Sequence, residues 1–458
     1  MIENDAFKLL LINLFHLNPD DIANIFCTTF NNMMVLIVTL ADKHQACPYC
    51  GFTAPKIKEY VTKEITHSAL TTQKCIIKYR ARRYKCPCCG KTYYEFNPFV
   101  FKSQKISILT VHNILKDLKD FNETFTSVAR RYHVSPTSVS TIFDNHVDIG
   151  RNPLPEIINF DEVYAFKSEK SKYVCVLLDF KKQIPVDVLP NRKKEYLLNY
   201  FQKIPLEERK KVKYACSDMY EVYRDVVHKV FPCSCMLLDY FHLSQDFHRK
   251  MNEVRIKVMK GYKDDKASDE YYLLKKFNWL LFKNPEDEDK YGRLFDVERE
   301  RKYNSHFKSY MNYYDLRRKL LEINNDLTIC YSLKLELVDF YSKSTIDNAQ
   351  VNLEHLIRSC IDTNIEEMIA FSNNLINWKQ EIINSFTIVG TEYKVEADKG
   401  QVVVCNKKVN NAIIENRNKI IKCIKNNANG YTNWSRFRNR VMYVLAPNTT
   451  FSLEPREK

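Results

Sequence analysis

Apolar and polar residues recur along this chain with periods that change from segment to segment, and each period predicts its own kind of element. Residues 6–26 carry apolar side chains at helical and mixed spacing, while Met33–Leu40 is an apolar run of strand length. Residues 75–84 alternate as a half-buried strand does, and residues 107–120 return to helical spacing. Further on, residues 159–166, 173–180 and 184–189 read as three short strands in an antiparallel meander. An apolar run closing at Asp218, a helix over 220–230 and a fifth strand over 235–239 come next. Residues 243–386 read as almost entirely helical, and the stripe of Leu353, Leu356, Ile357, Cys360 and Ile361 is most simply core. A strand-rich piece over 386–404 precedes a helix over 410–425, a turn at 428–430 and a basic, aromatic helix.

At 458 residues the chain is too long for one ordinary core, so the mixture of strands and helices predicts a multidomain α+β protein. Its 45% hydrophobic and 13% aromatic content excludes a largely disordered chain. A formal charge of +14 suits a polyanionic partner such as nucleic acid, although a basic soluble enzyme has the same balance. Fifteen cysteines with no secretory signal before them point to reduced thiols inside a cell. The longest apolar run is too short to span a bilayer, which predicts a soluble protein without a membrane partner. Only eight glycines occur, and none forms a phosphate-cradling loop, so a nucleotide cofactor is not expected.

Two segments carry metal chemistry in their spacing. Cys47-Pro48-Tyr49-Cys50-Gly51 and Cys86-Pro87-Cys88-Cys89-Gly90 are CPxCG knuckles, whose tight turns aim paired thiolates at one ion. Aligning them makes Cys47, Cys50, Cys86 and Cys89 a closed Zn²⁺ set and leaves Cys88 spare. Between them Lys78, Arg80, Arg82, Arg83 and Lys85 load one strand with positive charge, either a solvated face or a surface for DNA phosphates. Residues 124–143 follow a helix-turn-helix pattern: Val128 and Ala129 face inward, Val134 fills the turn, and Ser135 caps a second helix starting at Pro136. That helix offers Thr137, Ser138 and Thr141 to a major groove, and Arg130 and Arg131 to phosphates; plain helical packing is the alternative. The amino-terminal part, to about His146, is expected to bind DNA without the rest.

Asp161 stands in a segment otherwise suited to a buried strand, and Asp218 ends another apolar run. Either acid alone is an ordinary strand-end turn former, but two carboxylates on one sheet edge repel unless a hard divalent cation lies between them. Asp239 ends the fifth strand, and His242 beyond it is a candidate ligand or donor whose ordinary alternative is a hydrogen-bonded core histidine. On the helix over 410–425, Glu415, Asn418 and Lys422 share a face with Lys425 further along, which is also the pattern of a surface ladder.

These features, in this order, resemble the ISL-three group of bacterial insertion-sequence DDE transposases. The most specific likeness is carboxy-terminal, where the family pattern N-G-x-x-E-x-x-N, I-K and A-x-G-Y-x-N-F-x-x-F-x-x-R is met by Asn411, Glu415, Asn418, Ile421-Lys422, Ala428, Gly430-Tyr431, Asn433, Phe437 and Arg440. Ala412 replaces the usual Gly, and Trp434 the usual Phe. The resemblance implies an RNase H-like core split by a helical insertion, with Asp161, Asp218 and Glu415 as a triad holding Mg²⁺ or Mn²⁺. It implies cleavage at terminal inverted repeats, joining to target DNA, and a homodimer or larger assembly on DNA in the bacterial cytoplasm at the nucleoid. Asp239, His242 and Asn418 are possible accessory residues. The expected division is 1–44, a zinc-binding domain at 45–98, a helix-turn-helix domain at 99–148, the core at 150–242 and 387–450, an all-helical insertion at 243–386, and a tail at 451–458. A non-catalytic DNA-binding regulator or decayed transposase, and an RNA-processing nuclease on the same core, are the competing readings; three retained acids argue against the former.

Overall fold

The computed structural model describes residues 2–43, 46–68, 70, 72–101, 104–166, 171–395, 402–447 and 451–456. Helix α1 (Ile2–Leu14) lies on a five-stranded sheet of β1 (Ile22–Phe30), β2 (Met33–Leu40), β3 (Lys56–Thr66), β4 (Cys75–Lys85) and β5 (Thr92–Tyr94). The stretch read with mixed spacing therefore splits: helix ends at Leu14, and Ile22 to Phe26 belong to a strand. Asn31 and Asn32, both at positive φ (48° and 58°), make the two-residue turn that lets β1 pair back on β2. Leu11, Ile12 and Phe15 close the core against Ile25, Leu36, Val38, Ile77 and Tyr79.

Three helices follow: α2 (Ile108–Asp117), α3 (Phe125–Arg131) and α4 (Pro136–His146). Thr124 and Ser127 form a capping box at α3, and Ser135 accepts from the Ser138 N–H at α4. Val128, Ala129, Val139 and Phe143 are buried between these helices, with Val134 packed at their turn.

The central sheet comprises β6 (Ile157–Val163), β7 (Val174–Asp179), β8 (Ile184–Leu189), β9 (Tyr214–Ser217) and β10 (Cys235–Leu238), in the order β10-β9-β6-β7-β8. The first three form the expected antiparallel meander, while β9 and β10 run parallel to β6. On one face lie α5 (Lys194–Gln202) and α7 (Glu221–Val230), with the single turn α6 (Leu206–Arg209) between them in sequence. Val174, Val176 and Leu178 of β7 instead meet α15 (Ala412–Asn427) and α16 (Trp434–Leu445) on the other. Burial on both faces explains why β7 is a continuous apolar run.

Between the two parts of this layer runs α8 (Tyr240–Gly261), then α9 (Asp269–Lys276), α10 (Tyr313–Glu322), α11 (Asn325–Lys343), α12 (Ala349–Asp362), α13 (Glu366–Asn377) and α14 (Lys379–Asn384). Two expectations change here. The insertion is not all-helical: β11 (Glu288–Asp289) with β12 (Gly292–Arg293), and β13 (Lys302–Asn304) with β14 (Ser309–Met311), form two short hairpins. Gly292 and Lys308 take the positive φ (95° and 49°) that such turns require. The boundary expected between residues 242 and 243 falls inside α8, so the insertion grows from the sheet by an unbroken helix. The strand-rich piece is a hairpin of β15 (Ile388–Val395) and β16 (Val402–Lys408); its residues 396–401 lie outside the described residues.

Helix α16 joins the sheet to the helical trio. Arg438 Nε donates to Asp187 Oδ1 on β8 at 2.7 Å, while Tyr443 Oη donates to the Leu115 carbonyl on α2 at 2.8 Å. Arg440, only 1% exposed, donates to the carbonyls of Asp120 and Glu123 at 2.8 and 2.7 Å.

Candidate metal centres and nucleic-acid interface

Because β6, β9 and β10 are parallel neighbours, acids at their carboxyl ends gather on one sheet edge. Asp161 is in β6, Asp218 directly follows β9, and Asp239 directly follows β10. Buried Asn159 draws the distant α15 to that edge, donating to Asn411 Oδ1 at 2.7 Å and to the Asn410 carbonyl at 2.8 Å. Glu415 then lies one turn along, its N–H bonded to the Asn411 carbonyl at 2.9 Å. One turn further, Asn418 Nδ2 donates to Asp161 Oδ2 at 2.7 Å. His242, in the first turn of α8, places Nε2 3.8 Å from both Asp239 Oδ2 and Glu415 Oε1.

Burial first, and the Asp218 charge second, push the Asp161 carboxyl up to about 7. Burial also raises Asp218 and Asp239, with His242 opposing the shift at both. Asp218 Oδ1, Asp239 Oδ2 and His242 Nε2 are buried with no hydrogen-bond partner. Buried acceptors without partners beside other carboxylates are what a divalent cation would satisfy, and a mainly carboxylate donor set would fit Mg²⁺ or Mn²⁺. One ligand atom from each of Asp239, His242 and Glu415 falls within 4.8 Å of the others, so among the described residues the group that could hold an ion joins Glu415 to two of the residues expected as accessory and includes neither Asp161 nor Asp218.

Sequence reasoning passed over Asn159, a polar side chain in an apolar strand, and gave Asn411 no role. It also missed Arg192, whose guanidinium pairs with Glu162 and lies over the rings of Tyr173 and Tyr220 at 4.5 and 4.8 Å. Arg192 draws the Asp218 carboxyl downward against its burial.

At the second centre, Cys47 and Cys89 Sγ are 3.7 Å apart, and Cys50 and Cys86 Sγ 3.5 Å. A tetrahedral ion with zinc–sulfur bonds of about 2.3 Å sets its ligands about 3.8 Å apart, so this Cys₄ cluster could hold zinc. Both knuckles close alike, Gly51 N–H on the Cys47 carbonyl and Gly90 N–H on that of Cys86, each at 2.9 Å, with the glycines at φ 75° and 71°. Cys88 is exposed and outside the cluster.

The expected DNA-contacting residues divide. Arg82 is not a free phosphate donor: its guanidinium is bound by Glu95 at 2.8 Å and by the carbonyls of Leu40 and Ala41. Arg131 is likewise held by Asp117 and Glu123, and Arg83 pairs with Glu59 at 2.7 Å. Arg130, Thr137 and Thr141 are exposed; Ser138 is half-buried, its hydroxyl 2.8 Å from that of the capping Ser135. Thr137, Ser138 and Thr141 border a cavity of about 280 Å³ with Gln104 and Lys105. Lys422 is exposed, whereas Lys425 is half-buried over the Tyr164 ring. Among the described residues no helix is long and apolar enough to cross a membrane.

An acidic edge of this kind, reached by Glu415 from far along the chain, is an arrangement that could hold a divalent ion. The chain belongs to the ISL-three family of DDE transposases: the family's model, described as a transposase, matches residues 158–397. That span holds Asp161, Asp218, Asp239 and His242 and stops before Glu415. The chain is also similar to the transposase for insertion sequence element IS1001 of Bordetella parapertussis, 20% identical over 398 residues that cover 86% of this chain and 87% of that one.

Proposed function

We propose that the protein is an insertion-sequence transposase that binds the terminal inverted repeats of its element, cuts there, and joins the freed 3′-OH ends to target DNA. The observation that supports this reading is the acidic sheet edge: the Asp161 carboxyl feels the charges of Asp218 and Glu415, and Glu415, from a remote helix, lies in a possible ion-holding group with Asp239 and His242. The sheet order β10-β9-β6-β7-β8 supports an RNase H-like core, and the capped pair α3 and α4 supports a helix-turn-helix.

Asp161, Asp218 and Glu415 would hold the cations, with Asp239 and His242 beside them. Divalent ions, when bound, supply positive charge to the entering and leaving oxygens of an in-line displacement at phosphorus. Asn418 fixes the Asp161 carboxylate through its 2.7 Å bond, and the Asn159–Asn411 pair fixes the start of α15, so the geometry is set before substrate arrives. Water attacks at the element's end and releases a 3′-OH; that hydroxyl then attacks target DNA, with no covalent protein intermediate. The Cys₄ cluster would carry a structural Zn²⁺. The protein would act as a homodimer or larger assembly on DNA in the bacterial cytoplasm, without a nucleotide cofactor.

The test is a Mg²⁺- or Mn²⁺-dependent cleavage assay on end DNA. Asp161→Asn, Asp218→Asn and Glu415→Gln should each lose cleavage at least about a hundredfold while binding ends as the parent does, and Glu322→Gln on the exposed face of α10 should cut normally. Robust cleavage by Glu415→Gln would remove the third acid and, with it, the proposal.

A further inference from the structure

Helix α15 continues past the acidic centre. Glu415, Asn418, Lys422 and Lys425 fall at successive three- and four-residue steps, so they form one stripe, and the next member is Asn429 just beyond the helix. Asn429 (φ 53°) and Gly430 (φ 99°) turn the chain, with the Gly430 N–H bonded to the Lys425 carbonyl at 2.8 Å. This turn faces α3 across a groove of about 510 Å³.

The groove's chemistry is one-sided. Arg130, Arg436, Asn427, Asn429, Thr126 and Thr432 line it, and no carboxylate does. The cavity beside the β11–β14 hairpins, by contrast, is lined by Asp289, Asp296, Glu298 and Glu300 along with its basic residues. Arg436 is committed to Asp144, but Arg130 is exposed and makes no ion pair among the described residues. The walls are fixed: Tyr431 packs on Phe437 and Phe125, and Asn433 caps α16 by accepting from the Arg436 N–H at 2.9 Å.

We propose that this groove seats a backbone phosphate of duplex DNA, and that α15 is the spacer between that phosphate and the bond to be cut. The proposal rests on the transposase reading above and adds a contact and a distance to it. Glu415 to Asn429 is about 21 Å at about 1.5 Å per residue, or about six base steps of duplex at about 3.4 Å each. Arg130 supplies the charge, and the amide of Asn429 and the hydroxyl of Thr432 supply neutral donors. Lys422 and Lys425 follow the backbone between the two sites.

The experiment measures binding of the full-length chain to end and random duplexes across a salt series, with Arg130→Ala and Asn429→Asp beside the parent. Asp tolerates the left-handed conformation at position 429, so that variant adds a charge without strain, and melting temperature and zinc content should match the parent. Asn429→Asp should weaken binding about tenfold, and Arg130→Ala should flatten the slope of log K against log salt by about one. A single neutral methylphosphonate about six nucleotides from the cut should weaken the parent about fivefold yet leave Arg130→Ala unaffected. Parental affinity in Asn429→Asp, or full sensitivity of Arg130→Ala to that linkage, would overturn the groove. Equal binding of end and random DNA would instead remove end recognition, while the groove would still be read from the charge and salt arms, because backbone contact needs no sequence.

Discussion

On the proposed reading Asp161 answers two opposed demands, a charge that would hold a cation and a burial that disfavours it. With its carboxyl pushed up to about 7, chiefly by burial, the folded protein without a cation keeps a proton that the unfolded chain releases near its ordinary value. That stability is fully present below the unfolded value and is lost as pH rises through about 7. On the proposed reading a divalent ion would replace the proton and reverse the trend. Metal-free protein should therefore melt at lower temperature at pH 8 than at pH 6, and Mg²⁺ should raise the melting temperature more at pH 8. Saturation at a hundred times the dissociation constant contributes about 2.7 kcal/mol. Asp161→Asn should lose most of both effects; if it keeps the Mg²⁺ response, the ion binds elsewhere. Asp161 and Asp218 stand out in sequence only as a pair, since either alone is an ordinary turn former, while Glu415 is marked only through the family pattern, since a helical Glu beside Lys also suits a surface. That Arg82 and Arg131 are already paired was not visible in sequence for a related reason. The partners that claim them, Glu95, Asp117 and Glu123, are 8 to 14 residues away and meet them only through folding.

Elements whose signal is local were the easiest to read. The cysteine knuckles need only five consecutive residues each, and the caps of α3 and α4 only four, so their positions follow from sequence with little tertiary help. The hairpins β11–β14 are the opposite case: strands of two or three residues carry no period, and their charged sequence resembles an exposed helix. The knuckle alignment makes a sharp forecast, because Cys88 and Cys89 are adjacent and only one lies in the cluster. Elemental analysis should find one zinc per chain in the parent and in Cys88→Ser, and none in Cys89→Ser. The Cys89→Ser protein should also melt earlier, since β4 and β5 lose the tie that the four thiolates provide. Zinc retained in Cys89→Ser and lost in Cys88→Ser would reverse the alignment.

The central sheet and the helical trio are tied together by α16, a role that the basic, aromatic character of that segment conceals. Its cations are internal ties: Arg436, Arg438 and Arg440 are bound to Asp144, Asp187 and the carbonyls of Asp120 and Glu123. Tyr443 joins the core of the helical trio, and the segment 451–456 adds Phe451 and Leu453 to it. Arg456 Nη2 also bonds the Asp144 and Val147 carbonyls at 2.6 and 2.7 Å. The expectation that the chain to about residue 146 acts alone thus acquires a condition, because that fragment exposes the surface that Tyr443 covers and leaves the carbonyls of Asp120, Glu123 and Asp144 without the donors that Arg440 and Arg456 supply. A fragment of residues 1–148 should retain its zinc but melt below the full-length chain and bind end DNA more weakly than full-length Asp161→Asn. In the full-length chain Arg440→Ala should lose about 3 kcal/mol, since it empties a buried site and strands two acceptors. Urea unfolding and binding titrations of the three proteins decide the matter. Equal stability and affinity in the fragment would show that α16 only rests against the helices, whereas weaker binding restored by tethering residues 428–456 to the fragment would show that one helix holds the DNA-reading unit at a set distance from the acidic edge.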